Sequence, residues 1–200
     1  MAEGTEKNID YDLFKRVQNG DMVAFGKIVD RYKNRLMNVI IRMIQSQEEA
    51  EDIVQETFVR VYQHRDSFDF RHCFSTWLYT IALNLARNEL RKRKRFKFFD
   101  INDMQGKENE IAVEMKVPTN LPQALKKAVE DLPEKYRTAF ILRDIEEQPY
   151  DEVAKIMHIP LGTVKSRVNR ARALLREKLQ PRMEEYNALS KGTLLPVNVL

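Results

Sequence analysis

One run constrains this chain more than any other: YDEVAKIMHIPLGTVKSRVNRARALLREKL, from Tyr150 to Leu179. Val153, Ala154 and Met157 share the apolar side of a first short helix. Leu161, Val164, Val168, Ala171, Leu175 and Leu179 then recur at helical spacing in a second. His158-Ile159-Pro160 separates the two, and the fixed φ of Pro160 suits the opening of a new helix. Two helices, a tight turn and a cation-rich second helix predict a helix-turn-helix.

The second helix has two unlike faces. At about 100° per residue, Val164, Val168, Ala171 and Leu175 fall on one side, while Ser166, Asn169 and Ala173 point the other way. Thr163 and Arg170 flank the outer face on one side and Lys165 on the other. An ordinary amphipathic helix with a solvated basic face shares this pattern. Here, however, Lys165, Arg167, Arg170, Arg172, Arg176, Lys178 and Arg182 oppose a single acid, Glu177. Arg and Lys can hydrogen-bond guanine edges, Asn adenine edges, and Ser or Thr either, so the polar face suits a DNA major groove.

The stretch Ile159-Pro160-Leu161-Gly162-Thr163-Val164-Lys165-Ser166-Arg167, followed by Arg170-Ala171-Arg172, resembles the C-terminal promoter-reading domain of bacterial sigma factors. It is most similar to the small two-domain extracytoplasmic-function (ECF) group. The resemblance implies contact with the minus-thirty-five element through Thr163, Lys165, Ser166, Arg167, Asn169 and Arg170. Two departures stand out. Glu147-Gln148-Pro149 occupies a segment where many relatives have a glycine, and His158 holds a turn position often given to glycine.

Composition bears on what else the chain can be. Of 200 residues, 43% are hydrophobic, enough for ordinary cores in one or two domains, and the net charge is +4, concentrated in a few places. No apolar run is long enough to span a bilayer, and the start, MAEGTEKNIDYD, is polar and acidic rather than patterned as a signal peptide. Cys73 is the sole cysteine, so no intrachain disulfide can form; beside His72 it reads as a small half-buried thiol. A cytoplasmic protein without stable membrane insertion is expected.

Almost nothing in the chain alternates with a period of two, so the expected fold class is all-α: two small helical domains joined by a flexible linker. A short helix around Tyr11–Gln18 ends at Asn19-Gly20. Asp21 can cap a long second helix whose stripe is Phe25, Ile28, Val29, Tyr32, Leu36, Val39, Ile40 and Met43. Ser46 and Glu49 form an S-x-x-E capping box before a third helix. That helix buries Ala50, Ile53, Val54, Thr57, Phe58, Val61 and Tyr62, and turns Asp52, Gln55, Glu56, Val59 and Gln63 outward. Asp52 and Glu56, spaced i, i+4, could be metal ligands of a nuclease or a plain solvated face. Asp52-Ile53-Val54-Gln55-Glu56-Thr57-Phe58 also resembles the sigma segment that docks on the polymerase clamp helices. The resemblance thus implies core polymerase binding by Asp52, Gln55, Glu56 and Val59.

A fourth helix is predicted from Ser75 to about Phe96, with Phe74, Leu78, Ile81, Ala82 and Leu85 inside and Thr76, Thr80, Asn84, Arg87 and Arg91 outside. Aromatics, amides and the tract Arg91–Arg95 suit a surface that stacks bases and tracks single-stranded phosphates. Phe74-Ser75-Thr76-Trp77-Leu78-Tyr79, with Ala82, Asn84, Leu85 and Ala86, resembles the family's promoter-melting helix. By that resemblance Phe74, Ser75, Thr76, Trp77, Thr80, Asn84, Arg87 and Arg91 are the minus-ten DNA-binding residues. Trp77 is expected to be partly core.

Residues 99–120 lose periodicity and read as a linker, which leaves the two domains free to pack against one another. The second domain, 121–187, opens with a helix from Pro122 to Asp131, breaks at Leu132-Pro133 and resumes from Glu134 to about Ile145. Residues 188–200 form a tail, and residues 1–98 the first domain. Taken together, the resemblance implies an ECF-type sigma factor with core RNA polymerase, promoter DNA and an anti-sigma factor as partners, no cofactor, no metal and no catalysis of its own. Two alternatives are a stand-alone helix-turn-helix regulator, with Arg176–Leu189 as its dimerisation helix, and a metal-dependent nuclease using Asp52 and Glu56.

Overall fold

The computed structural model describes residues 2–103 and 121–190, with side chains described over 9–95 and 124–181. All regular elements among the described residues are helical. They are α1 (Ala2–Gln18), α2 (Met22–Ile44), α3 (Gln47–Gln63), a 3-10 turn (Arg65–Ser67), α4 (Phe74–Asp103), α5 (Leu121–Glu130), α6 (Glu134–Phe140), a π turn (Ile141–Ile145), α7 (Tyr150–Met157) and α8 (Leu161–Ser190).

The local signals act as the chemistry of their residues requires. The Asp21 carboxylate accepts the Ala24 N–H at 2.9 Å and two bonds from Arg16, at 2.9 and 2.6 Å. That backbone bond first, and Arg16 second, hold the Asp21 carboxyl below its ordinary range. Ser46 caps α3 by accepting the Glu49 N–H at 3.5 Å. The return half of the capping box is absent: the Glu49 carboxylate pairs with Arg93 of α4 instead. A tertiary cation has outcompeted a local amide for that carboxylate.

In the first domain, α1 to α4 surround Ile28, Tyr32, Leu36, Val39, Ile40 and Met43 of α2 and the expected side of α3, Ala50, Ile53, Val54, Thr57, Phe58 and Val61. Phe25, Val29 and Tyr62 are only partly buried. Phe14, Phe68, Phe74 and Trp77 form an aromatic knot, with Phe14–Phe74 centroids 4.6 Å apart and Phe68–Trp77 at 5.1 Å. Each such ring, fully buried, contributes about 1.5–3 kcal/mol. In the second domain, Ala128, Leu132, Ile141, Leu142, Val153, Ile156, Val164, Val168 and Ala171 pack around the helix-turn-helix, and their buried apolar surface is continuous with that of the first domain.

Several boundaries differ from expectation. α1 begins at Ala2 rather than near Tyr11. α4 runs to Asp103, five residues into the stretch read as linker, because Arg91–Arg95 are good helix formers and propagate the helix. Residues 104–120 and 191–200, the rest of the expected linker and most of the expected tail, lie outside the described residues. The helix from Glu134 passes into a π turn after Phe140. α8 continues to Ser190.

Both departures noted at glycine-like positions fall on left-handed backbone: Glu147 has φ 56° and His158 φ 54°. At the end of α7, Ile159 N–H bonds Ala154 O at 3.1 Å and His158 N–H bonds Lys155 O at 3.2 Å, a Schellman arrangement that favours glycine at the His158 position. Both side chains are exposed. Relief of left-handed strain should outweigh the added freedom of the unfolded chain, so His158→Gly and Glu147→Gly should each stabilise by about 0.5–1 kcal/mol. Thermal unfolding of each variant checks this; a lowered midpoint would mean that the side chain itself stabilises the turn.

Candidate nucleic-acid and protein interfaces

The recognition face is built by the packing of α8. Val164, Val168 and Ala171 are fully buried, which fixes the rotation of the helix. Lys165, Ser166, Asn169 and Arg170 are consequently exposed, and Thr163 and Arg167 half-buried at the margins. The Ser166 hydroxyl donates to Thr163 O at 2.9 Å. Two of the cations belong to the domain itself. Arg172 makes a two-pronged pair with Asp144, at 2.8 and 2.5 Å, which raises its already high pKa. Lys178 pairs with Asp131. Among the described residues, no ion pair engages Lys165, Arg167, Arg170 or Arg176.

The second candidate surface, on α4, is arranged less simply. Asn84 and Arg91 are exposed; Ser75, Trp77, Thr80 and Arg87 are half-buried. Phe74, expected among the DNA-binding residues, is 1% exposed in the aromatic knot and supports the surface from beneath. Thr76, expected on the outer side, is 8% exposed, because its hydroxyl donates to the Glu152 carboxylate of α7. Thr80 donates to Thr76 O at 2.7 Å. Tyr79 is fully buried, and its hydroxyl donates to Glu146 at 3.0 Å. Burial foremost, then the Glu146 charge, push the Tyr79 phenol well above its ordinary pKa. Arg87 lies near Glu134, Arg91 and Arg167; burial foremost lowers its pKa. The basic tract also contains an inward member. Arg93 donates to Ile44 O at 2.8 Å, satisfying a carbonyl at the end of α2.

On α3 the polar stripe lies opposite Ile53, Val54 and Phe58. Asp52, Gln55 and Val59 are exposed, Val59 at 48%, and Glu56 is half-buried in an ion pair with Arg60 at 2.7 Å. Asp52, Glu56 and Arg60 border a groove whose other wall is Leu85, Asn88, Glu89 and Lys92 of α4. Sequence reasoning missed that wall. Its signal was present: the four residues recur at spacings of three, one and three, on one side of a helix. Among the described residues, no three His, Cys, Asp or Glu side chains converge to hold a metal ion, and no helix is long and apolar enough to cross a membrane.

A helical unit with an acidic stripe and an amide- and cation-bearing helix, joined to a helix-turn-helix unit, defines a two-part transcription factor. Residues 28–96 match Sigma-70 region 2 and residues 123–175 match Sigma-70, region 4. The chain is 39% identical over 177 residues to the ECF RNA polymerase sigma factor SigW of Bacillus subtilis (strain 168), covering 83% of this chain and 94% of that protein. It is 36% identical over 187 residues to the ECF RNA polymerase sigma-E factor of Escherichia coli (strain K12), covering 88% and 97%. Among solved structures, the sigma factor RpoE of Bartonella quintana, in complex with the anti-sigma factor NepR, is similar at 30% identity with a TM-score of 0.64, over 78% of this chain and 96% of that one. The chain belongs to the ECF sigma factors, and its role is in promoter-directed transcription. Such proteins are initiation factors, not catalysts.

Proposed function

We propose that this chain binds core RNA polymerase through the stripe Asp52, Gln55, Glu56 and Val59, reads the minus-thirty-five element as duplex with α8, and opens and holds the minus-ten element with α4. The observation that carries the reading is the orientation of α8. Val164, Val168 and Ala171 of its apolar side are fully buried, which turns Lys165, Ser166, Asn169 and Arg170 outward to where base edges could meet them. Among the described residues, the α3 stripe has no ion-pair partner beyond its own Arg60, which favours a protein partner of cationic character. By analogy with the Bartonella quintana relative, an anti-sigma factor is a further proposed partner.

Run-off transcription with core polymerase on genomic fragments tests the reading: discrete transcripts should appear only when both protein components are present. Failure to associate with core in a pull-down would sink it. Within that assay, Asn84→Ala and Arg87→Ala should each impair transcription from duplex promoters. A template with a pre-opened bubble should rescue an opening defect but not a defect in base capture. Unchanged transcription on both templates would make this face a solvated helix surface only.

A further inference from the structure

We propose that the second domain closes over the Thr76–Tyr79 part of the minus-ten helix of the first, with Glu146 and Glu152 as a two-point carboxylate latch, and leaves the minus-thirty-five helix open. The names of the two faces rest on the function proposed above; the latch itself rests on contacts.

Glu146 and Glu152 are each 8% exposed, although both are acids. A carboxylate withdrawn from water is tolerable only when paired or hydrogen-bonded. Glu146 accepts from Tyr79 of α4 at 3.0 Å and from Arg35 of α2 at 3.5 Å. Glu152 accepts from Thr76 of α4, and from its own neighbour Lys155 at 2.8 Å. Three of these four donors belong to the other domain. Glu146 therefore gains both side-chain donors, and Glu152 gains Thr76, only when the domains meet.

The chain builds the latch deliberately. The π turn bonds Glu146 N–H to Ile141 O at 2.9 Å and Gln148 N–H to Leu142 O at 3.0 Å. Between them Glu147, in left-handed backbone, points to solvent, so that Glu146 and Gln148 both face inward. A second set of contacts clasps the far end of the seam. Gln45 donates to Glu130 O at 2.7 Å, Arg137 to Met43 O at 3.4 Å, and Lys94 pairs with Glu134 at 3.4 Å.

Closure is asymmetric in consequence. α7, not α8, covers α4: Thr76 and Tyr79 are removed from solvent, while Lys165, Ser166, Asn169 and Arg170 remain exposed. Closure also brings Arg87 near two groups of the second domain, Glu134, which attracts it, and Arg167, which repels it. The closed chain can meet duplex through α8, while the Thr76–Tyr79 part of α4 is covered and Asn84 and Arg91 beyond it stay exposed.

The test uses the full chain with Glu146→Ala and Glu152→Ala together. Cys73, the sole cysteine, is half-buried just before α4 and close to Lys155 of α7, so its rate of alkylation reports the seam without DNA. Affinity for a randomised single-stranded oligonucleotide pool, read by fluorescence anisotropy, reports the α4 surface. With two charged hydrogen-bond acceptors removed, single-strand affinity should rise at least about tenfold. Cys73 alkylation should accelerate, and helical circular dichroism should persist. If the double alanine variant loses helicity, the same readouts on Glu146→Gln with Glu152→Gln, which keep the side-chain shape, decide the matter. Equal alkylation and equal affinity in variant and wild type would overturn the latch, and so would faster alkylation without a gain in affinity. Absence of core-dependent transcription by wild type and variant alike, with both latch readouts shifted, would sink the sigma reading and leave the latch standing.

Discussion

Replacing Asp52 and Glu56 together by arginine should abolish assembly with core RNA polymerase while leaving the helical circular dichroism and melting temperature nearly unchanged. The stripe contributes little to the fold. Asp52 is exposed, and Glu56 shares one partly exposed ion pair, with Arg60. Exposed pairs of this kind are worth at most about 1 kcal/mol. Arginine at position 56 would stand one turn from Arg60, a like-charge pairing that costs about 0.2–0.5 kcal/mol. The apolar face beneath, Ile53, Val54 and Phe58, is untouched. The stripe should not touch DNA either, since carboxylates beside phosphates repel. What the double change does reverse is the sign presented to a cationic protein partner, and like charges across an interface can cost several kcal/mol. Binding of duplex through α8 should be unaffected. Assembly at wild-type affinity would refute the polymerase assignment. Loss of helicity would instead mean that the stripe holds the fold and its outward placement here is mistaken.

How far the chain could be read beforehand depended on the range of the interactions involved. The faces of α3 and α8 were legible because burial within one helix follows a spacing of three and four, and the partners lie in the same domain. Asp21 and Ser46 announced their helix starts because a cap needs only its own next turn. Thr76 was expected outside, and no role was assigned to Tyr79, because their partners, Glu152 and Glu146, lie 76 and 67 residues away. No local period encodes that distance. That α7 would be the helix packed on α4 was not foreseeable from the sequence. Arg93 and Glu49 were likewise assigned to local roles, a phosphate tract and a capping box, and found each other instead. The lesson is specific: a polar residue on a helix face is readable as exposed only when no other domain can reach it.

Two arginines two residues apart on α8 should behave as different kinds of residue. Arg170 is exposed on the recognition face beside Lys165 and Asn169, with no ion pair among the described residues. If it makes a bidentate guanine contact, Arg170→Ala should weaken binding of holoenzyme to cognate promoter by roughly 1–3 kcal/mol and leave the melting temperature unchanged. Arg172 is turned about 200° away on the helix. There it locks onto Asp144 in the π turn, which Glu146 directly follows. Arg172→Ala should therefore lower the melting temperature. The loss should be about 1 kcal/mol or less, since the Arg172 side chain is 46% exposed and the pair is screened by solvent. Its effect on DNA should be the same for every sequence. Comparison of cognate with scrambled minus-thirty-five duplex separates the two. Arg170→Ala should narrow the preference between them, and Arg172→Ala should preserve it. Equal loss on both duplexes from Arg170→Ala would show that it meets only phosphate, and the base-reading assignment would then rest on Lys165, Ser166 and Asn169 alone.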